Sequence, residues 1–384
     1  IHLVLARTPD APPGTKGNSC FVVPKIMVND DGSLGEPNDL KVVSVEHKMG
    51  INASPTCTMS FGDEGGATGW LLGNEFDGMR VMFVMMNMAR LSVGVQGLGL
   101  AERTLQGALS YANERVQGKV VGTPKEDRTS PIVGHPDVRR MLLDMRSLTE
   151  AMRGICLMNA VAMDRAGSLA DEDARQAAED LNELLIPITK AWCTDMGVEV
   201  TSLAIQVYGG MGFVEETGVS QFFRDARIAP IYEGTNGIQA MDLVGRKLPM
   251  RSGGVVTDTI ADIRATAAAL SADDELAGIG ARLAEATDAL DEATQWIFGH
   301  AGEIRDVLAG ATPYLRMWGL VVGGWVLGKS ALAAAEWAAD DGPADFCAEK
   351  VRTARWFADQ HLSTVVGLTA RATSGASLMD EASL

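Results

Sequence analysis

Near Gly78 the spacing of apolar residues changes from that of short strands to that of long helices, and it stays helical to the end of the chain. Before this point, short β-forming runs alternate with turn clusters; the runs are His2–Ala6, Cys20–Val23, Leu40–Val45 and Cys57–Phe61. Beyond it, apolar side chains recur on one helical face, most clearly between residues 138 and 156. The pattern predicts a mainly α-helical protein that begins with an antiparallel β-segment.

Two breaks divide the helical part. Pro136 suits a first helical position and Asp137 suits the positive end of the helix dipole, so one helix is expected to start there. A second break follows Leu248, where proline and glycine residues precede a segment rich in Ala, Asp and Glu. We therefore predict three domains, at residues 1–75, 76–248 and 249–384.

The composition excludes several classes of protein. A net charge of −17 argues against binding to nucleic acid or to an anionic membrane, because both require a basic face. The most apolar stretch lies between Arg316 and Lys329 and is too short to span a bilayer, so a buried helix is expected. Five scattered cysteines without CxxC spacing predict neither disulfides nor a zinc site and fit a reducing compartment.

Common catalytic motifs are absent or incomplete. Gly97 and Gly99 resemble the start of a dinucleotide-binding fingerprint, but they lie within a helical pattern and follow no strand. The histidines do not cluster, and there is no P-loop, H-E-x-x-H or G-x-S-x-G motif, so no metal site and no acyl-serine chemistry are predicted.

Two glycine-containing segments remain. QVYGGMGF, residues 206–213, either lets the backbone approach a bulky anion or forms a helix C-cap. IYEGTNGIQ, residues 231–239, leads into a helix, where a lone Glu233 is by default an acid that stabilises the helix dipole.

The order of these segments resembles the acyl-CoA dehydrogenase family. The run from QVYGGMGF through FFRDARIAPIYEGTNGIQ follows ARLSVGVQGLGLAERTLQGALSYANERVQGK at the separation found in that family. VEHKMGINASPTCTMSFGD and GWLLGNEFDGM resemble the end of its middle β-domain, and PYLRMWGLVVGGWVLGKSA resembles its large branch. The resemblance implies part of the middle β-domain, a C-terminal four-helix bundle and an additional C-terminal α-helical domain.

The resemblance also implies the chemistry. Glu233 would be the catalytic base that removes the α-proton of an acyl-CoA thioester while the β-hydrogen leaves as hydride to FAD, giving a trans-2-enoyl-CoA. Some relatives carry the base on the long helix instead, where this chain has Ala89. Substrate contacts fall on Asn87, Arg90 and Gly234, although an arginine in an apolar helix is alternatively a structural ion pair. FAD contacts fall on the following residues: Arg115, Gln117, Gln206, Gly209, Gly210, Thr235 and Gln239.

Two departures from the family pattern affect the expected flavin contacts. Gly118 follows Gln117 where the family has an aromatic residue, and Tyr208 lies where the family commonly has a smaller side chain or a histidine. The implied partners are electron-transferring flavoprotein and a second copy in a homodimer or homotetramer, in fatty-acid β-oxidation in the bacterial cytoplasm. The family's N-terminal part has no counterpart here, so a missing segment or companion chain is expected. An acyl-CoA oxidase and a catalytically silent helical scaffold are the alternatives.

Overall fold

The structure is a computed structural model that describes residues 1–122 and 130–383. The chain forms two compact units, Ile1–Ala89 and Arg90–Leu384. The mainly helical fold class with a β-segment is confirmed. The division into three domains at residues 75 and 248 stays a prediction.

Unit 1 contains seven strands, and all of their pairings are antiparallel. Strand β2 lies between β1 and β7, β3 pairs with β4, and β5 pairs with β6. Their bounds are β1 His2–Arg7, β2 Asn18–Val23, β3 Ile26–Val28, β4 Leu34–Pro37, β5 Leu40–Val45, β6 Cys57–Phe61 and β7 Trp70–Leu72. The four predicted strands are present, whereas β3, β4 and β7 are too short to give a period-2 pattern.

Helix α1, Gly78–Glu114, begins in unit 1 and continues in unit 2. In the part of α1 that lies in unit 1, Val84 and Met88 are 76% and 63% exposed. Farther along, in unit 2, Val93 and Leu105 are buried.

The rest of unit 2 is built from helices, and α2 begins at Pro136 with Asp137 in its first turn, as predicted. After Pro249 a short turn with left-handed backbone at Arg251 and Ser252 separates α5 from α6. The helix bounds are α2 Pro136–Ser168, α3 Glu172–Tyr208, α4 Val219–Ala226, α5 Asn236–Asp242, α6 Gly254–Ser271, α7 Ala277–Gly299, α8 Ile304–Asp340, α9 Ala344–Gln360, α10 Val366–Thr373 and α11 Ser377–Glu381.

Glycines allow α1 and α3 to pack backbone to backbone. A Cβ atom added to Gly97 would lie 2.6 Å from the carbonyl oxygen of Cys193, and one added to Gly197 would lie 2.9 Å from the carbonyl oxygen of Gly97. Gly97 therefore serves helix packing, and Gly97 and Gly99 both lie inside α1, as the helical pattern predicted.

The core of unit 2 lies between α3 and α8. Trp192 packs against Gly319 of α8, where a Cβ atom would overlap the indole ring. The apolar stretch between Arg316 and Lys329 is a buried helix, as predicted. By length and composition alone, α1 and α8 could each cross a membrane, but 78% of the most apolar window of α8 is buried inside the protein, as in a soluble core helix.

Candidate active site

The loop between α4 and α5 holds Glu233 in a left-handed backbone conformation. The φ angles are 57° at Glu233 and 82° at Gly234, a region that only glycine adopts freely. For an L-residue this conformation costs roughly 1–2 kcal/mol, so the surrounding contacts must impose it. Strain of this kind concentrates at functional positions, and here it falls on the predicted base.

Two side chains hold this loop from opposite sides. The hydroxyl of Tyr232 donates to Oε1 of Gln96 on α1, and burial raises the pKa of Tyr232, which keeps it a donor. The buried Gln239 of α5 reaches back, and its Nε2 donates to the carbonyl oxygen of Gly234 at 3.2 Å. A Cβ atom on Gly234 would lie 2.7 Å from that nitrogen, so a side chain here would displace the Gln239 amide, and the positive φ favours glycine as well.

Thr235 and Gln239 have local partners. The hydroxyl of Thr235 accepts a hydrogen bond from the backbone N–H of Ile238 at 3.3 Å and so caps α5. The Gln239 amide bonds the loop carbonyls from within the protein. Their predicted contacts with FAD stay predictions, and the structure adds that both residues hold the Glu233 loop.

A buried ion pair lies next to the loop. A nitrogen of the Arg90 guanidinium is 3.3 Å from a carboxylate oxygen of Asp242 on α5, and both side chains are buried. A Cβ atom on Gly234 would lie 3.7 Å from Nη2 of Arg90, so the guanidinium also adjoins the loop. The structure thus shows the structural ion pair that was the alternative role predicted for Arg90. Contact with substrate stays a prediction for Arg90 and for Asn87, and Asn87 lies in unit 1.

A cleft of about 390 Å³ gathers four of the residues predicted to hold FAD. Arg115 and Gln117 line it from the segment after α1, and Gly209 and Gly210 line it from the end of α3. Tyr208 lies in the same cleft and stacks on Tyr111, with ring centroids 4.2 Å apart. Gln206 lies one turn earlier on α3, and its carbonyl oxygen accepts from the backbone N–H of Gly209.

The cleft combines an open glycine backbone with a positively charged side chain. Cβ atoms placed on Gly209 or Gly210 would meet no atom within 4 Å, so the backbone is open to close approach. Arg115 adds a positive charge that no described carboxylate neutralises. Gly209 is also the C-cap of α3, with φ of 59°, so the helix-capping interpretation of this glycine segment is confirmed, and its approach to a bulky anion stays a prediction.

A larger cavity of about 690 Å³ lies among α2, α3, α6 and α8, away from these residues. It contains none of the predicted site residues. Among the described residues, no group of three or more His, Cys, Asp or Glu side chains is placed to hold a metal ion.

Sequence reasoning missed the polar side chains beneath the loop. Lys190 and Asp195 of α3, together with Asn236 of α5, form a hydrogen-bonded cluster in unit 2. One observation could have found Lys190, because this lysine interrupts the apolar run LLIPITKAW. A buried ammonium group needs a partner.

Comparison with known proteins identifies the family. Residues 77–248 match the model of the acyl-CoA dehydrogenase C-terminal domain, and residues 259–381 match a second model, described as acetyl-CoA dehydrogenase C-terminal like. The chain belongs to the acyl-CoA dehydrogenase family. The two matched ranges of this acyl-CoA dehydrogenase chain include the strained Glu233 loop and the helices that follow Leu248.

Curated relatives extend the likeness over nearly the whole chain. It is 48% identical over 365 residues to 3-methylmercaptopropionyl-CoA dehydrogenase of Ruegeria pomeroyi, covering 94% of this chain and 61% of that protein. It is 33% identical over 379 residues to a broad-specificity linear acyl-CoA dehydrogenase of Mycobacterium tuberculosis, covering 94% and 62%. The chain therefore spans about three fifths of the length of these relatives.

Solved structures support the fold alone. An acyl-CoA dehydrogenase from Caenorhabditis elegans, in complex with C11-CoA, gives a TM-score of 0.75 at 20% identity over 94% of this chain and 56% of that one. An acyl-CoA dehydrogenase from Bacillus anthracis, complexed with FAD, gives 0.73 at 19% identity over 96% and 60%.

Proposed function

We propose that the protein of which this chain is part catalyses FAD-dependent α,β-dehydrogenation of an acyl-CoA thioester to a trans-2-enoyl-CoA, with Glu233 as the base. The observation that carries the proposal is the strained Glu233–Gly234 pair, which Tyr232 and Gln239 hold in place. A carboxylate at a surface helix N-terminus would need no such support.

Glu233 removes the α-proton in this reaction. The proton moves to its carboxylate, and the electron pair of the broken α-C–H bond forms the new C=C bond as the β-hydrogen leaves with its own pair. Negative charge develops on the thioester oxygen, which therefore needs a hydrogen-bond donor. The backbone N–H of Glu233 can serve, since no described residue accepts a hydrogen bond from it.

FAD, when bound, supplies the acceptor for the hydride. Arg115, Gln117, Gly209 and Gly210 would hold part of it, because they line one cleft with an open backbone and a guanidinium that no described carboxylate neutralises. We further propose the partners that the family implies: electron-transferring flavoprotein as the electron acceptor, and a second copy of the protein in a homodimer or homotetramer. Fatty-acid β-oxidation in the bacterial cytoplasm is the corresponding setting.

The test is Glu233→Gln in the FAD-loaded protein, mixed without oxygen with butyryl-CoA, octanoyl-CoA or dodecanoyl-CoA. Loss of a positioned general base typically lowers the rate by about 10²–10⁴-fold, so bleaching of the flavin absorbance should slow by that factor. Glu216→Gln, an exposed acid 17 positions earlier on a neighbouring turn, is the matched control and should bleach like wild type.

Unchanged bleaching in Glu233→Gln would remove Glu233 from the mechanism. A wild-type protein whose flavin none of the three thioesters bleaches would refute the dehydrogenase assignment and favour the silent scaffold. In a separate aerobic assay with no other electron acceptor, release of hydrogen peroxide at the rate of turnover would identify an oxidase.

A further inference from the structure

Lys190 is an ammonium group inside the helical core. It lies on α3, its residue surface is fully buried, and its Nζ donates to Oδ1 of Asn236 at 2.9 Å. A buried charge is costly unless it is hydrogen-bonded and paired. The lysine therefore stays charged here only through the groups around it.

Asn236 connects this lysine to the loop that carries Glu233. Its backbone N–H donates to the carbonyl oxygen of Pro230 at 3.0 Å, which closes the loop on itself. Its side-chain nitrogen donates to Oδ1 of Asp195 at 2.7 Å and to the carbonyl oxygen of Ala191 at 3.0 Å. The amide thus lies between a cation and an anion, with its oxygen toward Lys190 and its nitrogen toward Asp195.

Charges from three elements act on Lys190. The pKa of Lys190 is lowered to about 8, and burial is the largest cause. Arg90 on α1 also lowers this pKa, whereas Asp195 and Glu233 raise it. Glu233 therefore favours the charged form of Lys190, and Lys190 loses its charge in mildly alkaline solution.

The helices after Leu248 act on the other end of the cluster. Burial raises the pKa of Asp195, whereas the Asn236 hydrogen bond, Arg316 on α8, Lys190 and Arg227 lower it. Asp195 and Asn236 also line a cavity of about 160 Å³ together with Arg316. The C-terminal helices thus contribute to the electrostatic support of the loop.

We propose that Lys190 is a positioning residue for Glu233, acting through Asn236. This inference rests on the proposed function, since it assigns Lys190 to the same proton-transfer step. A hydrogen bond from a charged donor is roughly twice as strong as one between neutral groups. While Lys190 is protonated, the Asn236 amide is held firmly and the strained loop keeps the Glu233 carboxylate in place; when Lys190 is neutral, the loop relaxes.

The test is the pH dependence of flavin bleaching by the same three acyl-CoA thioesters in wild type, Lys190→Met and Asn236→Ala. In wild type, kcat should fall as the pH rises through about 8. Both variants should lower kcat about tenfold or more below pH 8, with little change in KM, and should lose this alkaline fall. The double variant should be no slower than the slower single variant, because both substitutions break one link.

Lys329→Met is the matched control. Lys329 is also a partly buried lysine whose pKa burial lowers, but it lies over the Trp325 ring on α8, away from the loop. Its variant should keep the wild-type pH profile. If Lys190→Met fails to fold, Asn236→Ala tests the same link from the loop side.

Two results would overturn the inference: an alkaline fall that persists in Lys190→Met and Asn236→Ala, or single-variant losses that multiply in the double variant. Activity of Glu233→Gln separates this failure from failure of the proposed function. If Glu233→Gln is inactive while the Lys190 and Asn236 variants behave as wild type, the base assignment stands and only the positioning role of Lys190 falls.

Discussion

The side-chain amide of Gln239 donates to the carbonyl oxygen of Gly234 at 3.2 Å, so the first turn of α5 holds the loop that precedes it. Gln239 is fully buried and its nitrogen occupies the space that a Cβ atom on Gly234 would need. The amide and the glycine are therefore complementary: one fills the volume that the other leaves.

Replacing Gln239 by Ala should loosen the Glu233 loop. A half-buried carbonyl left without its donor, together with the small cavity at the buried Gln239 position, should lower the free energy of unfolding by about 1–3 kcal/mol. Urea denaturation measures the loss. Gln295→Ala is the control, because Gln295 donates only to Asp291 on the exposed face of α7. Equal stabilities for the two variants would contradict a holding role for Gln239.

The helix contact at Gly97 predicts opposite effects for two glycines two positions apart. Gly97→Ala would place a Cβ atom 2.6 Å from the Cys193 carbonyl oxygen, forcing α1 and α3 apart at a cost of about 1–3 kcal/mol. Gly99→Ala meets no atom within 4 Å and should stabilise the helix by about 0.5–1 kcal/mol. Chemical denaturation of both variants checks the signs; destabilisation by Gly99→Ala would contradict the packing.

Much of the fold is predictable because local residues determine it. The start of α2 follows from Pro136, whose fixed φ suits the first helical turn, and the longer strands follow from runs of β-branched and apolar residues. Strands such as β3, Ile26–Val28, give three residues and no measurable period, and only pairing with β4 defines them.

The candidate site also combines features that local sequence predicts with features that depend on distant contacts. Local physics makes Glu233 an ordinary acid before a helix, and only the ordered resemblance to a family singled it out. The pairs that hold the site join residues far apart in sequence, as Arg90 and Asp242 or Lys190 and Asn236 do. No window of sequence contains both members of such a pair, so their contact depends on the packing of α1, α3 and α5.

The cleft at the end of α3 predicts a variant that loses flavin without losing stability. At Gly210 no atom lies within 4 Å of an added Cβ and the backbone is not left-handed, so Gly210→Leu should fold normally while filling part of the 390 Å³ cleft. The ratio of flavin to protein absorbance after gel filtration should fall, and thermal unfolding of the flavin-free protein should match wild type. Gly278→Leu, at an open glycine in the first turn of α7, should retain flavin.

Retention of full flavin by Gly210→Leu would place the cofactor elsewhere than this cleft. A variant that unfolds at lower temperature without flavin would instead show that Gly210 serves packing.

The buried Lys190 gives the protein a pH-dependent stability with a defined sign. Its pKa is about 8 in the folded protein, against 10.5 for an ordinary lysine. Between these values the unfolded chain binds more protons than the folded one, so the free energy of unfolding rises with pH. The cost of burying the charge is fully present below about pH 8 and disappears as the pH passes 10.5.

Lys190→Met cannot titrate at this position, so the stability of wild type minus that of the variant should increase from pH 8 to pH 10. Urea denaturation of both proteins at several pH values gives this difference directly, and other titrating groups cancel in the subtraction. Lys119→Met, at an exposed position, is the control for removal of a lysine that is not buried. Only a lowered pKa of Lys190 in the folded state makes the stability difference between wild type and Lys190→Met increase with pH. A difference that is flat or falls with pH would therefore mean that burial does not lower the pKa of Lys190.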